Sequence, residues 1–233
     1  MIQIKRDIKK EIESHLNSKE ITIITGSRQV GKTFIMNEII SDFTAKNIKT
    51  LFLSLDNDSH QPFFVSQDKL LSKIKLEIGD NGFVFIDEIQ RIENAGLFLK
   101  GIYDRNLNYK FIVSGSGSIE LKEKINESLA GRKRLIEMHP VNFDEFVNYK
   151  TGYKYEGRLN LFYELEAEKI DELLTEYLNF GGYPRIIMED KTDEKLKIMH
   201  DIFRSYIEKD LVFLLKIDRP DMFSLLIKVM AAQ

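Results

Sequence analysis

The stretch Gly26-Ser27-Arg28-Gln29-Val30-Gly31-Lys32-Thr33 constrains this chain more than any other. It fits the pattern G-x-x-x-x-G-K-[ST], a phosphate-binding loop that belongs between a strand and a helix. Both flanks comply. Ile21 to Thr25 is a short apolar, β-branched run of the kind a buried strand uses. Thr33 to Ile40 sets Phe34, Ile35, Ile39 and Ile40 on a helix-like apolar face. Gly26 and Gly31 permit backbone conformations that a Cβ would forbid. The amides of Gly26 to Thr33 then face an anion, with the helix N-terminus adding positive potential. In this reading Lys32 reaches the β and γ phosphates and the Thr33 hydroxyl ligates Mg2+.

A second strand signal follows at Thr50 to Asp56, then a helix signal at Lys69 to Ile78. Phe83-Val84-Phe85-Ile86 is the most strand-like run in the chain, and it ends in Asp87 and Glu88. Ligands gather at the carboxyl ends of strands in open α/β sheets. Asp87 is therefore expected to hold Mg2+ and Glu88 to act as the general base on an attacking water. An acidic start to the next helix is the competing reading of an Asp-Glu pair alone, and the upstream loop disfavours it.

Phe98 to Arg105 reads as a helix and Lys110 to Val113 as a fourth strand, ending in Ser114-Gly115-Ser116-Gly117-Ser118. Two readings of that serine run stand. Ser114, with Ser116 next, contacts the γ-phosphate or the water, or the run caps a helix over Ile119 to Leu129. Two readings also stand for the basic cluster Arg132-Lys133-Arg134. It complements the dipole of that helix, or Arg132 is a finger reaching a neighbouring subunit's phosphate. Leu135 to Met138 is a fifth strand.

The N-terminal residues Ile4, Ile8, Ile12 and Leu16 recur every fourth position, as in an amphipathic helix with Lys5, Arg6, Lys9 and Lys10 on a solvated face, the alternative for Arg6 being that it leans toward a bound nucleotide. After Pro140 the strand–helix alternation gives way to helical patterns: a short helix after Asn142, then Leu161 to Leu165, Ile170 to Phe180 and Lys195 to Leu215. Asn179-Phe180-Gly181-Gly182-Tyr183-Pro184 breaks the last two apart. The expected organisation is residues 1–140 as an α/β domain with its N-terminal helix, 141–216 as a smaller helical lid domain, and 217–233 as the start of a truncated C-terminal region. That last stretch is strongly apolar from Met222 onward and starts at Pro220 and Asp221.

A formal net charge of −3 gives no overall electrostatic case for nucleic acid, which leaves only a local role for Lys133 and Arg134. The chain has no cysteine, so thiolate metal sites and disulfides are excluded, and a reducing cytoplasm is the expected setting. No apolar run nears the ~20 residues a membrane helix needs. The histidines, His15, His60, His139 and His200, lack metal-ligand spacing.

These residues resemble the AAA+-related archaeal and bacterial ATPases that join a P-loop domain to a C-terminal region of unknown function. The matching pieces are Thr25 to Thr33, Leu53-Ser54-Leu55-Asp56, Phe85-Ile86-Asp87-Glu88-Ile89-Gln90, Ser114-Gly115-Ser116, Leu129-Ala130-Gly131-Arg132 and Gly181-Gly182-Tyr183-Pro184. The Gly-Tyr-Pro step is also similar to an element of signal-transducing STAND ATPases. The resemblance implies a parallel sheet of order 5-1-4-3-2, ATP rather than GTP, and Mg2+ as cofactor. The expected activity is ATP hydrolysis driving a movement of the helical lid. The alternatives are a slow nucleotide-gated switch, a nucleic-acid-associated ATPase and, less favoured, a small-molecule kinase. A homo-oligomer is required if Arg132 acts in trans, and the macromolecular partner stays open.

Overall fold

The computed structural model describes residues 3–116, 127–206 and 219–231. The chain forms two compact units, one of residues 5–140 and one of 1–4 with 141–233.

The first unit is a parallel sheet flanked by helices. Its strands are β1 (Ile21–Gly26), β2 (Thr50–Ser54), β3 (Gly82–Asp87), β4 (Tyr109–Ser116) and β5 (Lys133–Glu137). They lie in the order β2-β3-β4-β1-β5, which is the 5-1-4-3-2 order expected, read from the other edge. The position in the sheet explains the residue pattern. β1 lies inside the sheet and is buried at all six positions, so its residues show no alternation of buried apolar with exposed polar side chains. The edge strands β2 and β5 are mostly half-exposed and admit Thr50, Lys133 and Arg134.

Helices α1 (Ile8–Ser14), α2 (Lys32–Ala45), α3 (Gln67–Ile78) and α4 (Ala95–Tyr103) complete the unit, with short 3-10 turns at Gln61–Phe64 and Ile89–Arg91. Ser66 caps α3, accepting from the Lys69 amide at 3.2 Å, so this helix starts two residues before the first residue expected from the sequence. α4 likewise starts at Ala95, which is buried together with Leu99 and Ile102. The core packs Leu70, Ile74 and Ile78 of α3 and Leu99 and Ile102 of α4 against Leu53, Val84, Ile86 and Val113 of the sheet. The helix expected over Ile119 to Leu129 falls mainly outside the described residues.

The N-terminal helix is shorter than its four-residue period suggested. α1 begins only at Ile8, although Ile4, Ile12 and Leu16 are all buried. Arg6 therefore does not lie on a solvated helix face. It is buried, and its role is described below.

The second unit is helical where it is described. It contains α5 (Phe143–Lys150), α6 (Leu159–Leu165), α7 (Ala167–Phe180), α8 (Pro184–Ile187), α9 (Thr192–Tyr206) and α10 (Pro220–Ala231). Asn142 and Glu145 form a reciprocal capping box that starts α5. Phe143 meets Tyr163 and Tyr177, and these rings surround Phe146, Val147 and Ile187 in a small core. The Glu176 carboxylate receives Lys150 at 2.8 Å and also Lys195, tying α5, α7 and α9 together. Burial opposes that charge, but the two ammonium groups prevail and hold the Glu176 carboxyl below its ordinary value. Residues 207–215, expected to extend α9, lie outside the described residues.

Candidate active site

Strand order and register bring the site together. β1 ends at Gly26 and β3 ends at Asp87, with β4 between them. The pairing Ile24↔Ser114 and Ile86↔Val113 places Ser114 between the two strand ends, at the same edge of the sheet. Neighbouring strands stand ~4.8 Å apart, so the ends of β1 and β3 lie ~10 Å apart, a gap that the loop after β1 spans to reach the Asp87 carboxylate.

The loop after β1 has the backbone its glycines foretold. Gly26 has φ +154°, and a Cβ there would lie 2.2 Å from the Met138 carbonyl oxygen. The Met138 amide donates to the Thr25 carbonyl at 2.6 Å, so the segment after β5 presses on the loop's entry. Gln29 at φ 63° and Gly31 at φ 103° complete the turn into α2. Lys32 is buried and donates to the Gly26 and Ser27 carbonyls, each at 2.9 Å. Its ammonium thus closes the loop on itself, beside the N-terminus of the 14-residue α2.

Across the gap, the Asp87 carboxylate is buried and gripped from both sides. Thr33 Oγ1 donates to Asp87 Oδ2 at 2.8 Å, and Ser114 Oγ donates to Asp87 Oδ1. A hydroxyl and a carboxylate within one hydrogen bond are the hard oxygen donors that suit Mg2+. Glu88 follows in the left-handed region, at φ 61° and ψ 45°, and its amide donates to Ser114 Oγ at 3.1 Å. Ser114 is fully buried within β4, which continues to Ser116 rather than ending at Val113. Its hydroxyl joins Asp87 to the Glu88 backbone. Among the described residues no cluster of three or more His, Cys, Asp or Glu side chains is suited to a metal ion.

Arg132 is placed elsewhere. Its carbonyl accepts from the amide of Ile21, the first residue of β1, which sets it at the sheet edge opposite the loop. Its side chain donates to Asp104 Oδ1 at 2.8 Å. Gly26 to Thr33, Asp87, Glu88 and Ser114 converge, and Arg132 does not join them within one chain.

Three contributors were missed or misjudged from the sequence. Arg6 donates to the Val30 carbonyl at 3.0 Å and to the His139 carbonyl at 2.7 Å, pinning the outer side of the loop to the segment after β5. The Met138 carbonyl is the reason position 26 requires glycine. The Gln90 side-chain amide donates to the Glu88 carboxylate. Arg6 carried only a weak signal, a basic residue in an otherwise apolar period. Gln90 sat in the matched Asp-Glu-Ile-Gln run without a role.

Residues 18–147 match the family described as AAA domain, and residues 171–233 match a domain of unknown function (DUF8612). An uncharacterized protein of Methanocaldococcus jannaschii is 30% identical over 207 residues, covering 88% of this chain and 45% of that protein. An uncharacterized protein of Haemophilus influenzae is 25% identical over 198 residues, covering 82% of this chain and 46% of that one. The chain thus spans about half the length of the curated relatives it matches. Among solved structures, a DNA replication initiation factor superposes with a TM-score of 0.44 at 17% identity, over 83% of this chain and 59% of that one. No helix among the described residues is long and apolar enough to cross a membrane.

Proposed function

The chain belongs to the AAA domain family, and from that premise we propose that it binds ATP with Mg2+ and hydrolyses it. One observation carries the reading: Thr33, from the loop after β1, and Ser114, from β4, converge on the buried carboxylate of Asp87. A chance glycine turn has no reason to face an acid delivered by a strand two places away.

In this reading the amides of Ser27 to Thr33 cage the β and γ phosphates. Lys32 turns from the Gly26 and Ser27 carbonyls toward phosphate oxygens, exchanging neutral partners for charged ones. Thr33 and Asp87 hold Mg2+, which neutralises charge on the phosphate oxygens. Glu88 takes a proton from the attacking water, and Ser114 keeps Asp87 and Glu88 in fixed relation. Catalysis of this kind is mainly positioning and electrostatic stabilisation. The helical unit, read as a lid, moves in response to the nucleotide. Arg132 has no path to its own chain's phosphates, so its assignment as a finger requires a second copy.

The test is phosphate release from Mg-ATP by the wild type and by Glu88→Gln. A general base contributes ~10²–10⁴-fold, and a loss in that range with nucleotide binding retained is expected. Equal rates in the two proteins remove Glu88 as the base. Tight ATP binding with negligible wild-type turnover selects a nucleotide-gated switch instead. A nucleic-acid role has less support, because Arg134 faces Glu11 at 3.4 Å. Steeply salt-dependent DNA binding would restore it.

A further inference from the structure

The Glu88 side chain is fixed at both ends. At its root the backbone is left-handed, a conformation that costs a residue with a Cβ ~1–2 kcal/mol, and the Ser114 hydroxyl holds its amide. These contacts set the direction in which the side chain leaves the strand. Three torsions beyond the Cα remain to be set before the carboxylate has a definite place. At the far end, Glu88 Oε2 accepts from the Gln90 amide.

The position of Gln90 is set by the fold. It lies in the turn Ile89–Arg91, which is closed by the Arg91 amide on the Glu88 carbonyl at 3.1 Å and the Ile92 amide on the Ile89 carbonyl at 3.0 Å. Ile89 is buried in the main core, and Arg91 is ion-paired with Asp56 beyond the end of β2. The amide of Gln90 is therefore carried on a turn anchored from both sides. A neutral donor on Oε2 leaves the Glu88 charge in place and leaves Oε1 to accept a proton from water.

We infer that Gln90 is a positioning residue for ATP hydrolysis: its amide holds one oxygen of Glu88 so that the other meets the attacking water. The inference rests on the assignment of Glu88 as base proposed above. In this role Gln90 acts through Glu88. The energetic logic is that of orientation, since a misplacement of ~1 Å at a reacting group costs up to ~10²-fold in rate.

The experiment uses the full chain and single-turnover hydrolysis of Mg-ATP with protein in excess, which reads slow rates. Gln90→Ala and the isosteric Gln90→Glu are compared with wild type, Glu88→Gln and Gln90→Ala/Glu88→Gln. Affinity for a fluorescent ATP analogue and the thermal midpoint are measured on each. We expect Gln90→Ala to lower the rate about 10- to 100-fold with nucleotide affinity within about twofold of wild type. Gln90→Glu sets a second carboxylate against the first and should be at least as slow. In the Glu88→Gln background the loss of Gln90 should change nothing further, because both act as one unit. An inactive Glu88→Gln beside a Gln90→Ala of wild-type or higher rate overturns the role of Gln90 and spares Glu88. So does a loss of affinity that matches the loss of rate. A Glu88→Gln as fast as wild type overturns the base assignment and this inference with it. If Gln90→Ala fails to fold, the isosteric variant decides.

Discussion

The parallel strands run from an amino edge of the sheet to a carboxyl edge, and a buried lysine stands at each of these two edges. Lys32, where β1 gives way to α2, donates to the carbonyls of Gly26 and Ser27. Lys110, at the start of β4, donates to the Ser18 carbonyl at 2.9 Å and to the Glu20 carbonyl. The immediate contacts are alike and the surroundings are not. Around Lys32 the chain turns through positive φ at Gly26, Gln29 and Gly31 and enters a helix, with the Asp87 carboxylate opposite. Around Lys110 stand carbonyls and the His15 ring at 3.4 Å, itself bonded to Thr22 at 2.8 Å. An ammonium against carbonyls is a structural tie. It becomes part of an anion site only where the backbone turns several amides the same way beside a helix start.

Neutralising each lysine breaks the comparison most directly. Lys32→Ala should weaken ATP binding more than about 100-fold, the scale of losing a charge-assisted phosphate contact. Lys110→Met should leave it within about twofold. Titration with a fluorescent nucleotide measures both. Equal losses would mean that the two edges are coupled and that the contrast drawn above is wrong.

The next effect is on stability. Gly26→Ala places a methyl group 2.2 Å from the Met138 carbonyl at a φ that alanine avoids. A cost of about 2–4 kcal/mol is expected, read as a lowered denaturation midpoint. Gly131 makes the contrast at the other edge. Its φ is +71° but a Cβ would meet nothing within 4 Å, so Gly131→Ala should cost only about 1 kcal/mol, the backbone contribution.

Smaller again is a pH dependence confined to the Lys110 edge. Burial pushes the Lys110 ammonium down to about 8 from its ordinary 10.5, against the attraction of Glu20. His15 is lowered too, by burial and by Lys110. Above about pH 8 the folded state releases the lysine proton while the unfolded chain keeps it. The unfolded state then binds more protons, so stability rises with pH. Tyr109, held above its ordinary value by burial and by Asp80, works the other way only near and above pH 10. Lys133 is lowered by burial as well and adds a slope of the same sign, so between about pH 8 and 9.5 wild-type urea midpoints should climb and those of Lys110→Met should climb less. A flat wild-type curve would show that the Lys110 proton is not released there.

The sequence disclosed the sheet more fully than the site, for a physical reason. Ile21 to Thr25 and Phe83 to Ile86 are covered on both faces, so their apolar runs announce strands without ambiguity. The order of those strands came from resemblance, since no local pattern encodes a neighbour. The loop after β1 was legible because its glycines answer a backbone demand. The solvated-face reading of Arg6 failed because a four-residue period was extended through it. The helix starts at Ile8, and residues before it follow a different path that takes the guanidinium inward. Gln90 had no period to betray it, since its partner is two residues away across a turn that only the fold creates.

Arg132 gives the smallest expected effect and the sharpest question about the two edges. It lies at the edge away from the loop, held by Asp104, with its side chain partly exposed. Such a pair contributes about 1 kcal/mol or less. At concentrations where the chain is a single copy, Arg132→Ala should therefore hydrolyse ATP within about twofold of wild type and melt slightly earlier. The edges meet only if one copy sets its Arg132 over the loop of the next. In that case hydrolysis per chain rises with protein concentration in the wild type and stays low in Arg132→Ala. Mixing Arg132→Ala with Lys32→Ala, each poor alone, would then restore part of the rate, because some junctions pair an intact Arg132 with an intact Lys32. No recovery on mixing, with a wild-type rate independent of concentration, would confine Arg132 to its tie with Asp104.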